Sequence, residues 1–522
     1  MERMRQVGDN IRISAFDPLM EDDILPLLHS FFPDGDCGGS LSISITEEAD
    51  RAIKAQSVFT SSDGTGEPVF REEFADAERI KAGTHGAAGE REKRDPGICD
   101  EIVRKYYSDE GIYRREQRKE IARVVYIMLE QISGKSLPWG MLTGVRPTKL
   151  VLERLEKGLG MHASYLMDKY RVTKEKAALA VRVAQKEYTL INDIDYRNGF
   201  SLYIGIPFCP SICNYCTFGS HPLLRFGEYV EPYLKALEKE IKETSKLMKK
   251  RLDCIYIGGG TPTILSPEQI FTLIGQIRDN FDTSFVREFC FEAGRPDSIT
   301  EEKLKVLKGC GVTRISINPQ SMVERTLDTI GRAHTPAQII KAFGTARECG
   351  FDNINADIIA GLSGETPEDF RYTLLQLEKL APESVTVHTL AHKRAARLMT
   401  SPEIFEGLEA KGVSEMVEAG ALWAKQHGME PYYLYRQKNM TESLENIGYC
   451  LPGKECLYNI LIMEEKQMIL ALGAGASSKF VRDCAERFER VENVKSVKDY
   501  IERIDEMIER KRIYIEKRCV PV

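Results

Sequence analysis

Through the middle of the chain, from about residue 198 to 400, short β-branched and aromatic runs alternate with amphipathic stretches. Leu202–Ile206, Cys254–Ile257, Glu288–Glu292, Thr313–Ile317, Asn353–Ile359 and Ser384–Thr389 read as strands. Helical periodicity fills the gaps at Tyr229–Lys249, Pro267–Phe281, Thr300–Lys308, Pro336–Glu348 and Pro367–Leu380. Ser266-Pro267, Thr335-Pro336 and Thr366-Pro367 each set a capping hydroxyl before a proline at the first helical position. Six βα units in succession predict a partial (βα)6 barrel of parallel strands, two units short of a closed eightfold barrel.

The flanks differ. Residues 1–195 predict an α/β and helical N-terminal domain. It holds a strand at Ile11–Ala15, a helix through Leu25, Leu27 and Leu28, and helices over Glu101–Ile132 and Thr148–Ile191. From about 57 to 97 the chain is rich in Gly, Ser and charge, which reads as a flexible surface insertion. Residues 401–522 predict a smaller, mostly helical cap. Ser401–Gln426 is helical, Tyr432–Arg436 a short strand, Gly448–Cys456 a Gly/Pro/Cys loop, and Val497–Arg510 a charged helix.

Composition narrows the class. The chain has 522 residues, 42% hydrophobic and 29% charged, enough for about three domains with ample core. Its net charge of −7 argues against nucleic acid, whose binders usually carry a basic excess. No apolar run approaches the roughly 18 residues of a membrane span. Met1–Asn10 has no apolar stretch resembling a signal peptide, so a cytoplasmic location is expected. Thirteen cysteines in so long a chain do not suggest disulfide staples. Among them only Cys209, Cys213 and Cys216 form a tight cluster. Eight of the other ten read as small, inert hydrophobes; Cys450 and Cys456, on a shared Gly/Pro loop, could bind a ligand but are read first in the same way.

In a parallel barrel the chemistry sits at the C-terminal ends of the strands. Strand one is followed by the three cysteines, and strand two by Gly258-Gly-Gly-Thr-Pro-Thr263. Strand three ends at Glu292 and strand four leads to Gln320. Strand five carries Asp357. Strand six carries His388, with Lys393, Arg394 and Arg397 beyond it. Three cysteines on one loop suit three irons of a [4Fe–4S] cube, leaving a fourth iron open to an amine and carboxylate ligand. A zinc site completed by His221 is the rival reading. The glycines let backbone approach a ligand closely, although a tight turn also wants glycine. Glu292 and Asp357 need a partner at the ends of apolar strands, either ligand hydroxyls and ammonium or a structural Arg.

The Cys209-x3-Cys213-x2-Cys216 spacing, with Gly258-Gly-Gly, Glu292 and Gln320, resembles the radical S-adenosylmethionine (SAM) superfamily. Tyr203-Ile-Gly-Ile-Pro-Phe-Cys209, Gly258-Gly-Gly-Thr-Pro-Thr263 and Asp357-Ile-Ile-Ala-Gly-Leu362 resemble its oxygen-independent coproporphyrinogen III oxidase (coproporphyrinogen dehydrogenase) family. Trp139–Pro147 and Gly453–Asn459 resemble the HemZ branch. The resemblance implies a partial TIM-type radical SAM barrel with a [4Fe–4S] cluster on Cys209, Cys213 and Cys216. It implies one or two SAM molecules, a tetrapyrrole substrate, and an electron donor such as flavodoxin or ferredoxin.

By the same resemblance Tyr203 stands beside cluster and SAM as a catalytic and binding position, and Tyr215 near a second SAM. Gly259, Gly260, Thr261, Glu292, Gln320, Arg332, Asp357 and Ala391 match SAM-binding positions. Arg225, His388, Lys393, Arg394 and Arg397 are the candidate partners for substrate carboxylates; a solvated helix face is the alternative for the last three. Gly205 stands where the oxidases carry His, and Phe218 where they carry a further Cys. The implied reaction is oxidative decarboxylation of coproporphyrinogen III. The alternatives are a heme-binding chaperone of the same family, another radical SAM reaction on a tetrapyrrole, and RNA modification.

Overall fold

The computed structural model describes residues 5–7, 10–15, 17–32, 36–47, 53–62, 69–76, 80, 109–144, 146–216, 221–391, 412–437, 444–481 and 488–516. The chain divides into two compact units, residues 1–145 with 162–179, and residues 146–161 with 180–522.

The first unit is built on five strands in sequence order, Arg5–Val7 (β1), Ile11–Ala15 (β2), Gly39–Glu47 (β3), Ile53–Ser61 (β4) and Val69–Phe74 (β5). Only β2 and β3 run parallel, joined by the crossover helix Pro18–Phe31. That helix and Asp109–Ser133 bury Leu27, Leu28, Tyr126 and Leu129 against Ile11, Ile13 and Ile43. Two stretches of the expected insertion are strands, a correction to the sequence reading. Residues 57–61 belong to β4, which pairs antiparallel with β3 and β5. Its inner face is built from small residues, Ala55 and Ser57 beside Ile53, so hydrophobicity alone does not mark it.

The second unit carries an eleven-stranded sheet. The six strands expected from sequence are Gly199–Ile206 (β6), Arg251–Gly259 (β7), Glu288–Glu292 (β8), Arg314–Ser316 (β9), Ile354–Ala360 (β10) and Ser384–Thr389 (β11). They lie side by side in that order, all parallel. The C-terminal segment extends both edges instead of standing apart. Glu430–Tyr435 (β12) and Asn446–Cys450 (β13) join beyond β11: β13 pairs antiparallel with β11, and β12 pairs antiparallel with β13 at the outer edge. Met468–Leu472 (β14) adds a seventh parallel strand beside β6, followed by the antiparallel strands Ser477–Val481 (β15) and Phe488–Glu492 (β16).

Each parallel strand alternates with period two. One face carries Leu202, Ile204, Ile255, Ile257, Phe291, Ile315, Ile358 and Val387, all buried. The covering helices start where the sequence placed them: Ser266, Thr335 and Thr366 accept hydrogen bonds in complete capping boxes before Pro267–Asn280, Pro336–Glu348 and Pro367–Leu380. The other face is polar. Tyr203, Tyr256, Cys290 and Arg314 stand in register across four strands, and Glu292, Ser316, Asn355 and Ser384 across the next level. The apolar residues therefore face the helices, and the concave side is left for polar side chains and a cavity.

Candidate functional site

A cavity of about 750 Å3 opens on that polar face, bordered by residues from β6 round to β13 and from β14 to β16. The cysteine loop begins where β6 ends. Cys209 and Cys213 are buried and Cys216 half-buried. Asn214 pins the loop, its N–H on Ile330 O and its side-chain amide on Thr329 O, both at 2.9 Å.

Two sulfurs have donors from neighbouring strand ends: Thr261 Oγ1 lies 3.4 Å from Cys209 Sγ, and Arg295 Nη1 lies 3.7 Å from Cys213 Sγ. Arg295 is held by Asp297 at 2.7 and 2.9 Å and by Ser211 Oγ at 3.2 Å. Cys209, Cys213 and Cys216 all border the cavity from this one loop. His221 instead sets its ring edge-on to Phe226, 4.7 Å away, outside the cavity lining. This arrangement suits a multi-iron cluster better than a Cys3His zinc ion.

Beside the cysteines, backbone closes in. A Cβ on Gly260 would fall 2.5 Å from Phe208 O and 2.9 Å from Cys209 Sγ, so nothing larger than glycine fits between strand end and cysteine loop. Glu292 faces the same opening, accepting from the Tyr256 hydroxyl at 2.5 Å and the Gly259 N–H at 3.2 Å. Burial pushes its carboxyl up to about 7. Gln320 takes the left-handed conformation (φ 66°) that lets its backbone pair with Asp357 and Ile359. Its Oε1 is buried with no hydrogen-bond partner among the described residues, an acceptor awaiting a donor.

Burial also acts to raise the Asp357 carboxyl, but His388, Asn355 and Thr386 outweigh it and hold the group below its ordinary range. Asn355 Nδ2 donates to it at 2.7 Å and His388 Nε2 stands 3.6 Å away. Two carboxylates, an unsatisfied amide oxygen and close-packed glycines form a cradle that fits the ammonium, hydroxyl and amine groups of SAM.

Tyr203, Tyr256 and Tyr458 form a triangle of near-parallel rings, Tyr256 and Tyr458 with centroids 4.5 Å apart and Tyr203 at 6.1 and 6.2 Å from them. Burial pushes the Tyr203 hydroxyl well above its ordinary range. Arg332 lines the cavity, yet four of its N–H groups are engaged. They bind Gly294 O, Asn318 O, the Tyr215 hydroxyl and, at 3.4 Å, His334 Nδ1. Its geometry is that of a clamp joining the loops after β8 and β9.

Tyr215, Thr261, His388 and Ala391 also reach the lining. Arg225 does not: it is exposed on the short helix Leu223–Phe226, a correction to its reading as a substrate partner. Lys393, Arg394, Arg397 and Phe218 lie outside the described residues. Sequence reasoning missed Tyr256, Arg295 and Tyr458, and the cations Lys479 and Arg490 on β15 and β16, all of which line the cavity. Polar residues at every second position of apolar strands were the available signal.

The model of the radical SAM superfamily matches residues 203–377. The oxygen-independent coproporphyrinogen-III oxidase-like protein HemZ of Bacillus subtilis is 41% identical over 411 residues, covering 77% of this chain and 82% of that protein. The chain belongs to the HemZ family of the radical SAM superfamily. As a member of that superfamily it uses a [4Fe–4S] cluster and SAM. The heme chaperone HemW of B. subtilis is 33% identical over 317 residues, covering 59% of this HemZ-family chain and 76% of the chaperone. The solved structure of coproporphyrinogen III oxidase (HemN) from Escherichia coli superposes with a TM-score of 0.50 at 23% identity, over 62% of this chain and 73% of that one, which shows a shared fold. Among the described residues no helix is long and apolar enough to cross a membrane.

Proposed function

We propose that this cavity carries out oxygen-independent oxidative decarboxylation of two propionates of coproporphyrinogen III, giving protoporphyrinogen IX in the cytoplasm. The observation that carries the reading is the convergence of three cysteines, Gly259, Gly260, Thr261, Glu292, Gln320 and Asp357 on one cavity that Lys479 and Arg490 also line. When bound, the reduced cluster and SAM supply one-electron chemistry that removes a hydrogen from an unactivated carbon.

This chain's residues do the rest. Cys209, Cys213 and Cys216 hold three irons, and Arg295 and Thr261 donate to sulfur. Glu292 and Gln320 would accept from the ammonium and amine groups of SAM, and Asp357 from its hydroxyls, with His388 and Asn355 keeping that carboxyl ionised. Tyr203, backed by Tyr256 and Tyr458, walls the reacting centre from water. Lys479 and Arg490, which share Glu465 at 3.4 and 3.9 Å, exchange that carboxylate for propionates of a substrate that lies against Tyr433 and Tyr435.

A second reading, heme delivery without decarboxylation, is favoured by the similarity to HemW. The test is an anaerobic assay of iron-reconstituted protein with dithionite, SAM, coproporphyrinogen III and a reduced flavodoxin or ferredoxin control. Formation of 5′-deoxyadenosine together with decarboxylated porphyrin, both lost in Cys213→Ala, supports the oxidase. Cluster-loaded protein that forms neither and retains heme supports the chaperone.

A further inference from the structure

We propose that Glu288, Cys290 and Cys456 form a second metal site, for one divalent cation of the zinc type, beneath the floor of the cavity. It concerns residues apart from the cluster loop and holds whichever substrate the cavity takes. All three are buried, and their donor atoms lie within 4.8 Å of one another. Cys290 Sγ and Cys456 Sγ are 3.8 Å apart, and Cys456 Sγ is 3.6 Å from Glu288 Oε2. A tetrahedral ion with bonds of about 2.3 Å to sulfur and about 2.0 Å to oxygen sets two sulfurs about 3.8 Å apart, and a sulfur and an oxygen about 3.5 Å apart. The observed edges are those of a coordination shell.

The supports are rigid. Glu288 and Cys290 are alternate residues on the inner face of β8, and Cys456 caps the helix Leu457–Glu464. Cys254, also buried, stands in register beside Glu288 on the neighbouring strand.

The surrounding charge accommodates a bound ion. Two thiolates and a carboxylate around a divalent ion leave a net charge of −1, costly to bury alone. Arg314, in register with Cys290 and only 3% exposed, brings +1. Its hydrogen bonds go to neutral acceptors, Asn353 Oδ1, Lys454 O and Ser384 Oγ, while its charge faces Glu288, Cys290 and Cys456, so the −1 of a loaded site keeps a buried cation beside it. Arg314 and Cys456 both reach the cavity lining, which gives an ion a way in. A bound ion ties the first turn of Leu457–Glu464 to β8, and so sets Tyr458 against Tyr256.

The test uses the full chain with Cys209, Cys213 and Cys216 changed to Ala, thiol-reduced and metal-free, titrated anaerobically with Co2+ and followed by visible absorption. The site predicts one Co2+ per chain with tetrahedral d–d bands and sulfur-to-cobalt charge transfer, displaced by Zn2+. Adding Cys456→Ser or Glu288→Gln weakens binding about tenfold or more, with folding checked by circular dichroism. Independently of these variants, the unaltered chain with its cluster in place carries about one zinc by elemental analysis. Absence of cobalt bands from the folded, reduced chain overturns the proposal. So do bands that survive in Cys290→Ser and Cys456→Ser, or a Cys290–Cys456 disulfide found in place of metal.

Discussion

Thr261 Oγ1 lies 3.4 Å from Cys209 Sγ, which ties the turn after β7 directly to the loop after β6. The contact depends on the residue before it, because Gly260 brings its backbone against Phe208 and the same sulfur. Gly260→Ala therefore displaces Cys209, and the account expects iron and sulfide content after reconstitution to fall about tenfold. Gly344→Ala is the control. It lies on the exposed face of Pro336–Glu348 with nothing within 4 Å of its Cβ, and should gain about 0.5–1 kcal/mol with full cluster content.

Arg295 is a buried cation 3.7 Å from Cys213 Sγ. A cluster gains negative charge on reduction, so this guanidinium favours the reduced form. Arg295→Met should shift the cluster midpoint potential to more negative values by tens of millivolts, of the order expected from losing one hydrogen bond to sulfur. Arg295→Lys should recover part of the shift. Redox titration followed by electron paramagnetic resonance reads both.

The middle of the chain was legible because each signal had one cause. β-branched runs marked β6 to β11, and Ser or Thr before Pro marked helix starts at Pro267, Pro336 and Pro367. β4 and β5 were not legible, because a small two-layer unit accepts Ala55 and Ser57 in its core and leaves charged Glu72 and Glu73 on its edge strand. Reading strand ends found Glu292 and Asp357 but passed over Tyr256, Cys290 and Arg314, which lie deeper on the same polar face. Arg225 misled because sequence proximity to Cys216 does not fix direction, and its short helix turns the side chain to solvent. Cys456 lies far from the barrel strands in sequence, and only the insertion of its helix brings it to Cys290.

Glu365 follows β10, with Ser321 Oγ donating to it at 2.6 Å, and burial lifts its carboxyl from the ordinary 4.5 to about 7. Between those values the native chain keeps a proton that the unfolded chain has released. Stability therefore falls as pH rises through this window, and the loss is complete above about 7. Glu365→Gln removes the dependence. Its stability should match the parent near pH 4.5 and exceed it by about 2–3 kcal/mol at pH 8 in denaturant titrations.

Lys511 is fully buried and binds Glu240 at 2.7 Å, joining the C-terminal helix Ile504–Glu516 to Val230–Ser245. Tyr500, Asn493 and the Gly473 N–H complete the shell around Glu240, at the end of β14. Lys511→Met leaves a buried carboxylate without its cation and should cost about 3–5 kcal/mol by chemical denaturation. Adding Glu240→Gln should return most of that loss, because the uncompensated charge is gone.

In the proposed reaction a hydrogen is taken from a tetrapyrrole propionate inside this cavity. Coproporphyrinogen III deuterated at the propionate β-carbons, incubated anaerobically with SAM and the reduced protein, tests it most directly. The account predicts 5′-deoxyadenosine one mass unit heavier by mass spectrometry, formed together with the vinyl product and absent in Asp357→Asn. Unlabelled 5′-deoxyadenosine, formed at the same rate with and without the porphyrinogen, would contradict it.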